Sequence, residues 1–256
     1  MITIKTPEEI KILREGGRRL AAIMQALRNA AKIGVSTADL DALAEKMARE
    51  GGDVPSLLGY RPKGAKRPYP ASVCISVNDE VVHGIPNEHP KILANGDIVS
   101  FDMCLTHRGL ITDTAATVVV GAADAEAEKL VLATEKALFA GIKAVKGGGH
   151  IGDIGYAVER VGQAAGFGVV EELCGHGVGY KVHEDPYVPN FGRKGSGEKL
   201  KPGMVLAIEP MFTAGSKNVY LDDDGYTYKT ADGSRAAHFE HTIVITAKGV
   251  EILTEV

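Results

Sequence analysis

Four acidic residues stand among apolar neighbours in stretches that read as strands: Asp102 in 98–105, Asp113 in 110–120, Glu209 in 204–212 and Glu240 in 239–246. A carboxylate inside a core-packed strand is costly unless it is paired or coordinated. The chain must therefore gather these groups around positive charge, give each its own salt bridge, or turn them to solvent. The first two belong to one hairpin. With His107 and Arg108 as a two-residue turn, Thr106 faces Gly109 and Asp102 faces Asp113, their Cβ atoms ~4.5–5.5 Å apart. Carboxylates that close repel, and require a cation or a shared proton. A slip in register would send one of them to solvent instead.

The segments around these residues alternate in type. Thr6, Pro7 and Glu9 make an N-cap, a first-turn proline and a capping-box glutamate. Ile10, Leu13, Leu20, Ile23, Met24 and Leu27 follow at helical spacing. A second helix starts near Thr37 and stops at Gly51 and Gly52. A loop rich in Pro, Gly, Lys and Arg occupies about 59–70, and strands are expected at 72–77, 98–105 and 110–120. The order then recurs: a long helix over about 124–146, a shorter one over about 153–166, and strands at 168–173, 204–212 and 239–246. Displaced by 114 positions, Gly34, Asp39, Leu40, Glu45, Lys46 and Gly52 meet Gly148, Asp153, Ile154, Glu159, Arg160 and Gly166. A helix-helix-sheet unit used twice fits this echo. The expected class is α+β: antiparallel sheet with helices on its outer face, in one domain over 1–256 with halves at about 1–120 and 121–256. Ligand sites favour the junction of such halves.

A fifth group joins the carboxylates. His176 lies between Gly175 and Gly177, which permit close backbone approach. His183 follows just before Glu184, Asp185 and Pro186. By period-two alternation His238 and Glu240 share a face and His241 points away. For Glu209 or Glu240 alone an ordinary salt bridge would serve. Taken together, four carboxylates and one imidazole from both halves make an oxygen-rich site that suits Mn, Fe, Co or Zn. Two such ions ~3.5–4 Å apart need bridging carboxylates, and bring the pKa of a bridging water towards neutrality.

With 256 residues, 45% of them apolar, the chain can bury a sizeable core. A net charge of −4 gives no global basic field, so sequence-specific nucleic-acid binding is not expected. Cys74, Cys104 and Cys174 lack paired spacing and read as reduced thiols of a cytoplasmic protein. The first residues carry no signal-peptide pattern, and no apolar run reaches the ~20 residues of a membrane span.

Asn78 through His83 to Pro86, Asp102 with Asp113, Cys174-Gly175-His176-Gly177, His183-Glu184-Asp185-Pro186, Glu209-Pro210-Met211 and Phe239-Glu240-His241-Thr242 together resemble the type I methionine aminopeptidases, over essentially the whole chain and in the family's order. The resemblance implies the pita-bread fold and removal of the initiator methionine from nascent proteins and peptides, with a small second residue preferred. It implies two divalent ions (Co, Mn, Fe or Zn) held by Asp102, Asp113, His176, Glu209 and Glu240, with Asp113 and Glu240 bridging, and attack of a dimetal-bound hydroxide on the first peptide bond. Glu209 is then the proton shuttle, His183 meets the carbonyl oxygen as it becomes an oxyanion, and His83 contacts the scissile nitrogen. The alternative for His83 is a turn histidine packed by Ile85 and Pro86.

The resemblance extends to a methionine pocket of Tyr60, Tyr69, Cys74 and His83. Tyr226 stands where many relatives have Trp, and Val182 where many have Phe. The basic stretch Arg61-Pro62-Lys63-Gly64-Ala65-Lys66-Arg67 is inserted after Tyr60 and displaces it relative to Cys74. It reads as a solvated loop, or functionally as a contact for ribosomal RNA or anionic substrate. By the same resemblance only the first helix is expected to precede the catalytic part, and the stretch from Glu209 to Glu240 is too short for the type II helical insertion. The resemblance also implies a monomer acting on nascent N-termini, with transient ribosome contact and no membrane. Two alternatives share the fold: a proline-specific peptidase, usually with an added N-terminal domain, and a binding module that has lost its metals.

Overall fold

The computed structural model describes residues 2–255. Helix α1 spans Pro7–Ala30, and its capping box is formed: the Glu9 N–H donates to Thr6 Oγ1 (3.3 Å) and the Thr6 N–H to Glu9 Oε2 (2.8 Å). Its buried face carries Leu13, Gly16, Gly17, Leu20, Ile23, Met24 and Leu27. A Cβ at Gly17 would overlap the carbonyl of Leu253, so glycine permits the close approach there. Helix α2 spans Thr37–Glu50 and is capped by Ser36.

Short strands follow: β1 (Val54–Pro55), β2 (Cys74–Val77) and β3 (Glu80–Val82). The long hairpin is β4 (Ile98–His107) and β5 (Leu110–Val119). Helices α3 (Ala125–Ala144) and α4 (Ile151–Ala165) open the second half. Strands β6 (Gly168–Val169), β7 (Cys174–Gly177), β8 (Glu184–Pro189), β9 (Val205–Ile208) and β10 (Met211–Thr213) come next. The chain closes with β11 (Val219–Leu221), β12 (Tyr228–Thr230), β13 (Ala236–His238), β14 (Glu240–Thr246) and β15 (Gly249–Ile252).

The main sheet has nine strands in the order β1-β4-β5-β14-β9-β7-β8, with β2 added on β4 and β15 on β14, and every pairing is antiparallel. Its halves meet where β5 pairs β14. The 114-residue echo recurs in the backbone. Gly34 and Gly148 have φ of 86° and 84°, and Gly52 and Gly166 have 77° and 78°. The isolated bridges Ser36–Ile92 and His150–Lys199 occupy corresponding places too. The core lies between helices and sheet, with Leu20, Leu27, Phe101, Met103, Leu206 and Ile243 fully buried.

Three sequence expectations are corrected. The hairpin turns at Arg108 and Gly109, both at positive φ (49° and 83°), so His107 pairs Leu110 and Asp102 pairs Ala115, not Asp113. A turn with both central residues left-handed matches the twist of the flanking strands, and glycine at its second position makes it accessible. The stretch 204–212 is two strands in two sheets, parted at Glu209 and Pro210. Of 168–173 only Gly168 and Val169 are paired, against β10.

Candidate metal centre and adjoining pocket

The ladder registers determine which side chains share a face. One row across the sheet runs from Cys74 to Asp102, Ala115 and Glu240. The next, two residues along each strand, holds Cys104 opposite Asp113, and Thr242 opposite Ala207 opposite His176. Thr242 joins its two parts: the Asp113 N–H donates to the Thr242 hydroxyl (2.9 Å), which donates to the Asp113 carbonyl (2.7 Å). Rows two residues apart lie ~7 Å apart along a strand, within reach of carboxylate side chains. Ala115, Thr242 and Ala207 are small, which leaves space above the sheet for the longer groups beside them. Glu209 and Glu240 both sit where the chain passes between sheets, Glu209 just after β9 and Glu240 just after the break at Phe239.

Asp102, Asp113, His176, Glu209 and Glu240 all line one cavity of about 220 Å³. One ligand atom each from Asp113, His176 and Glu240 lies within 4.8 Å of the others. The His176 Nε2 atom is 3.4 Å from Glu209 Oε1 and 3.9 Å from Asp113 Oδ2. Its Nδ1 lies 2.9 Å from the Gly177 carbonyl, which can only accept, so the proton sits on Nδ1 and the Nε2 lone pair faces the carboxylates. Burial, with His183 adding, pulls His176 down to about 3 and keeps it neutral.

The carboxylates lack compensation. Among the described residues no lysine or arginine pairs with Asp102, Asp113, Glu209 or Glu240. Asp113 Oδ1 and Glu240 Oε1 are buried without a hydrogen-bond partner. Burial pushes Asp113 up to about 6. Burial, then neighbouring carboxylates, raises Asp102, Glu209 and Glu240 well above the ordinary range. Orphaned oxygens converging with a neutral imidazole are what a divalent cation would satisfy, and the donor set fits a borderline transition metal.

The remaining sequence candidates line the same cavity: Tyr60, Tyr69, Cys74, His83, Val182, His183 and Tyr226. Tyr69, Cys74, Val182 and Tyr226 are buried together with Leu57 and Cys104, and Tyr60 packs against them. The Tyr69 and Tyr226 rings meet edge to face at 5.1 Å. The basic insertion does not carry Tyr60 away. The Gly59 N–H donates to the Tyr69 carbonyl (2.9 Å) and the Tyr69 N–H to the Tyr60 carbonyl (2.8 Å), so 61–68 is looped out between them. Arg61 closes that loop onto the carbonyls of Ala65 and Lys66, and Tyr226 donates its hydroxyl to the Arg67 carbonyl.

His83 adopts φ 60°, a conformation a non-glycine residue holds at some cost. The backbone after it is clamped: the Gly84 N–H donates to the Ser76 hydroxyl (3.1 Å), and the Gly84 carbonyl accepts from Ile75 N–H (2.9 Å) and Tyr69 OH (2.7 Å). Burial, with His183 adding, pulls His83 down to about 4. His183 stands exposed at the cavity rim, where partial desolvation lowers its pKa, and its Nδ1 lies 2.8 Å from the Tyr60 hydroxyl.

Cys104 and His238 also stand beside the candidate ligands. Cys104 donates its thiol to Asp113 Oδ2 (2.8 Å); only the true turn would have revealed it as that residue's cross-strand partner. His238 is buried with both ring nitrogens unpaired, its Nε2 3.7 Å from Glu209 Oε2. Its alternation with Glu240 was the available signal.

Residues 11–247 match the model of metallopeptidase family M24. The chain is 43% identical over 256 residues to methionine aminopeptidase 1 of Bacillus subtilis, with all of both chains covered. A methionine aminopeptidase structure from Thermotoga maritima superposes with a TM-score of 0.95 at 41% identity, again over all of both chains. A prolidase from Pyrococcus horikoshii has a TM-score of 0.76 at 22% identity, covering 98% of this chain and 63% of that one, a likeness of fold alone.

Proposed function

This chain belongs to the M24 metallopeptidases and, within them, to the methionine aminopeptidases, and from that membership we propose how its residues release an N-terminal methionine. The protein is a metal-dependent hydrolase with the pita-bread fold, acting on the N-terminal methionine of peptides and nascent proteins. Asp102, Asp113, His176, Glu209 and Glu240 would hold two divalent ions, drawn from Co, Mn, Fe and Zn, with Asp113 and Glu240 shared between them. Such a pair, when bound, polarises the scissile carbonyl and makes water nucleophilic near neutral pH.

The methionine side chain fills the apolar pocket of Tyr60, Tyr69, Cys74, Val182 and Tyr226, which shares its cavity with the ligand cluster. That juxtaposition carries the reading: a side-chain-sized apolar recess opening onto a cluster of uncompensated carboxylates. With the tautomer in which Nδ1 accepts from the Tyr60 hydroxyl 2.8 Å away, neutral His183 would present an Nε2–H to the carbonyl oxygen as charge develops there. His83 meets the scissile nitrogen. Glu209 takes a proton from the attacking water and delivers it to the leaving amine. Both halves, about 1–120 and 121–256, contribute ligands to one catalytic unit. The protein works as a monomer in the cytoplasm on nascent chains, touching the ribosome transiently; among the described residues no helix is long and apolar enough to cross a membrane.

Selectivity tests this reading. With the methionine seated and the carbonyl on the ligand cluster, the second side chain lies between His83 and His183 at the pocket mouth. A bulky group there displaces the carbonyl, and ~1 Å of displacement costs ~100-fold in rate. Met-Ala-Ser should therefore have a kcat/KM at least ~100-fold above that of Met-Leu-Ser. Leu-Ala-Ser should also be slower than Met-Ala-Ser, by ~10–200-fold, as apolar chains of similar volume differ by ~1–3 kcal/mol in a hydrophobic pocket. Equal rates on Met-Ala-Ser and Met-Leu-Ser would make the protein a general aminopeptidase.

A further inference from the structure

The Glu184 side chain is almost wholly buried behind the loop that carries Val182 and His183. Its Oε1 accepts the backbone N–H groups of Tyr180 (2.5 Å) and Lys181 (3.0 Å), and its Oε2 accepts the Thr3 hydroxyl (2.6 Å) and the Lys5 ammonium (2.7 Å). One carboxylate thus closes the loop on itself and ties it to the N-terminal segment. Lys5 is fixed in turn. Its N–H donates to the Gly203 carbonyl (2.8 Å) just before β9, its ammonium also donates to Thr3, and it lies 4.5 Å over the Tyr180 ring. The Lys5 side chain has no exposure at all. Burial pulls its pKa down while Glu184 opposes that.

A buried ion pair is weak evidence for stability, because packed apolar side chains would often serve as well or better. What this one supplies is fixed geometry, at a place where little else does so. Between β7 and β8 the loop's other backbone bonds are few: Val178 N–H to Val205, Ile111 N–H to Gly179, and Gly179 N–H to Lys181. The next residue before Glu184 is His183, whose ring is held from the other side by Tyr60.

We propose that Lys5 and Thr3 are positioning residues for His183: they fix the Glu184 carboxylate, which holds the loop so that the imidazole stays over the ligand cluster. This rests on the role given above to His183. The test is a set of double-mutant cycles in metal-loaded enzyme, with kcat and KM on Met-Ala-Ser and the metal content of each variant measured. Lys5→Met should lower kcat by ~10-fold or more, since a catalytic group shifted by a fraction of an ångström loses that much. Its KM should stay within ~2-fold, as for a group acting in the transition state. Metal content should not change, Thr3→Val should lose less, and Lys5→Arg should recover part of the activity. In a His183→Ala background Lys5→Met should cost nothing further. Wild-type kcat in Lys5→Met while His183→Ala is slow would overturn this proposal alone. An equal loss with and without His183 would overturn it too, since Lys5 would then act by another route. Should Lys5→Met fail to fold, the Thr3→Val cycle with His183→Ala decides in the same way. Wild-type turnover in His183→Ala would remove the underlying role and this proposal with it.

Discussion

Replacing Glu209 by Gln should lower kcat on Met-Ala-Ser by ~10²–10⁴-fold, the range a general acid-base group contributes. KM should move little, because the group acts mainly in the transition state. Glu209 follows β9, where the chain leaves the main sheet, and its oxygens lie 3.4 Å from His176 and 3.7 Å from His238. Burial, then Asp102 and Asp113, raises its pKa well above the usual carboxylate range, the mark of a carboxylate that lacks a compensating cation. Gln keeps the shape and one ligating oxygen but cannot carry the proton. Metal content measured beside the kinetics separates the two roles, and a metal-loaded variant with wild-type turnover would end the shuttle assignment.

Asp113→Asn should cost more in metal binding than in any other property. Asp113 has one oxygen taken by the Cys104 thiol and the other buried without a partner. The amide removes the negative charge and turns one of those oxygens into a donor. The expected loss in affinity for the pair exceeds ~100-fold, beyond the 10–100-fold typical of losing an outer hydrogen-bonding partner. Calorimetric titration of the stripped protein reads it directly. Two ions bound at wild-type affinity would show that Asp113 is not a shared ligand.

The parts of this architecture that could be read from sequence are those governed by local chemistry. The capping box of Thr6 and Glu9 needs only neighbours three residues apart, and it formed as expected. Asp102 and Asp113 share a face although they are not paired, because moving the turn from His107-Arg108 to Arg108-Gly109 shifts the pairing by two residues and preserves alternation. The break at Glu209 and Pro210 was hidden because Met204 to Phe212 is apolar enough for one strand, whereas the change of sheet depends on distant partners in β13 and β6. Strands β3 and β11 to β13, each only three residues long, gave too short a pattern to register. The tie from Lys5 to Glu184 joins residues 179 positions apart, beyond the reach of any local pattern. The two-row arrangement of the carboxylates and His176 likewise depends on several ladders of the sheet at once.

If uncompensated carboxylates and His176 make a divalent-metal site, methionine release depends on the metal it holds. The most direct test is to strip the protein with a chelator, return Mn, Fe, Co or Zn singly, and follow methionine release from Met-Ala-Ser against bound metal. The stripped protein should retain less than ~1% of the loaded rate, because water alone is a poor nucleophile at neutral pH, and activity should return as metal binds, up to two ions per chain. Full activity in protein shown to be free of metal would mean that methionine release does not run through this site.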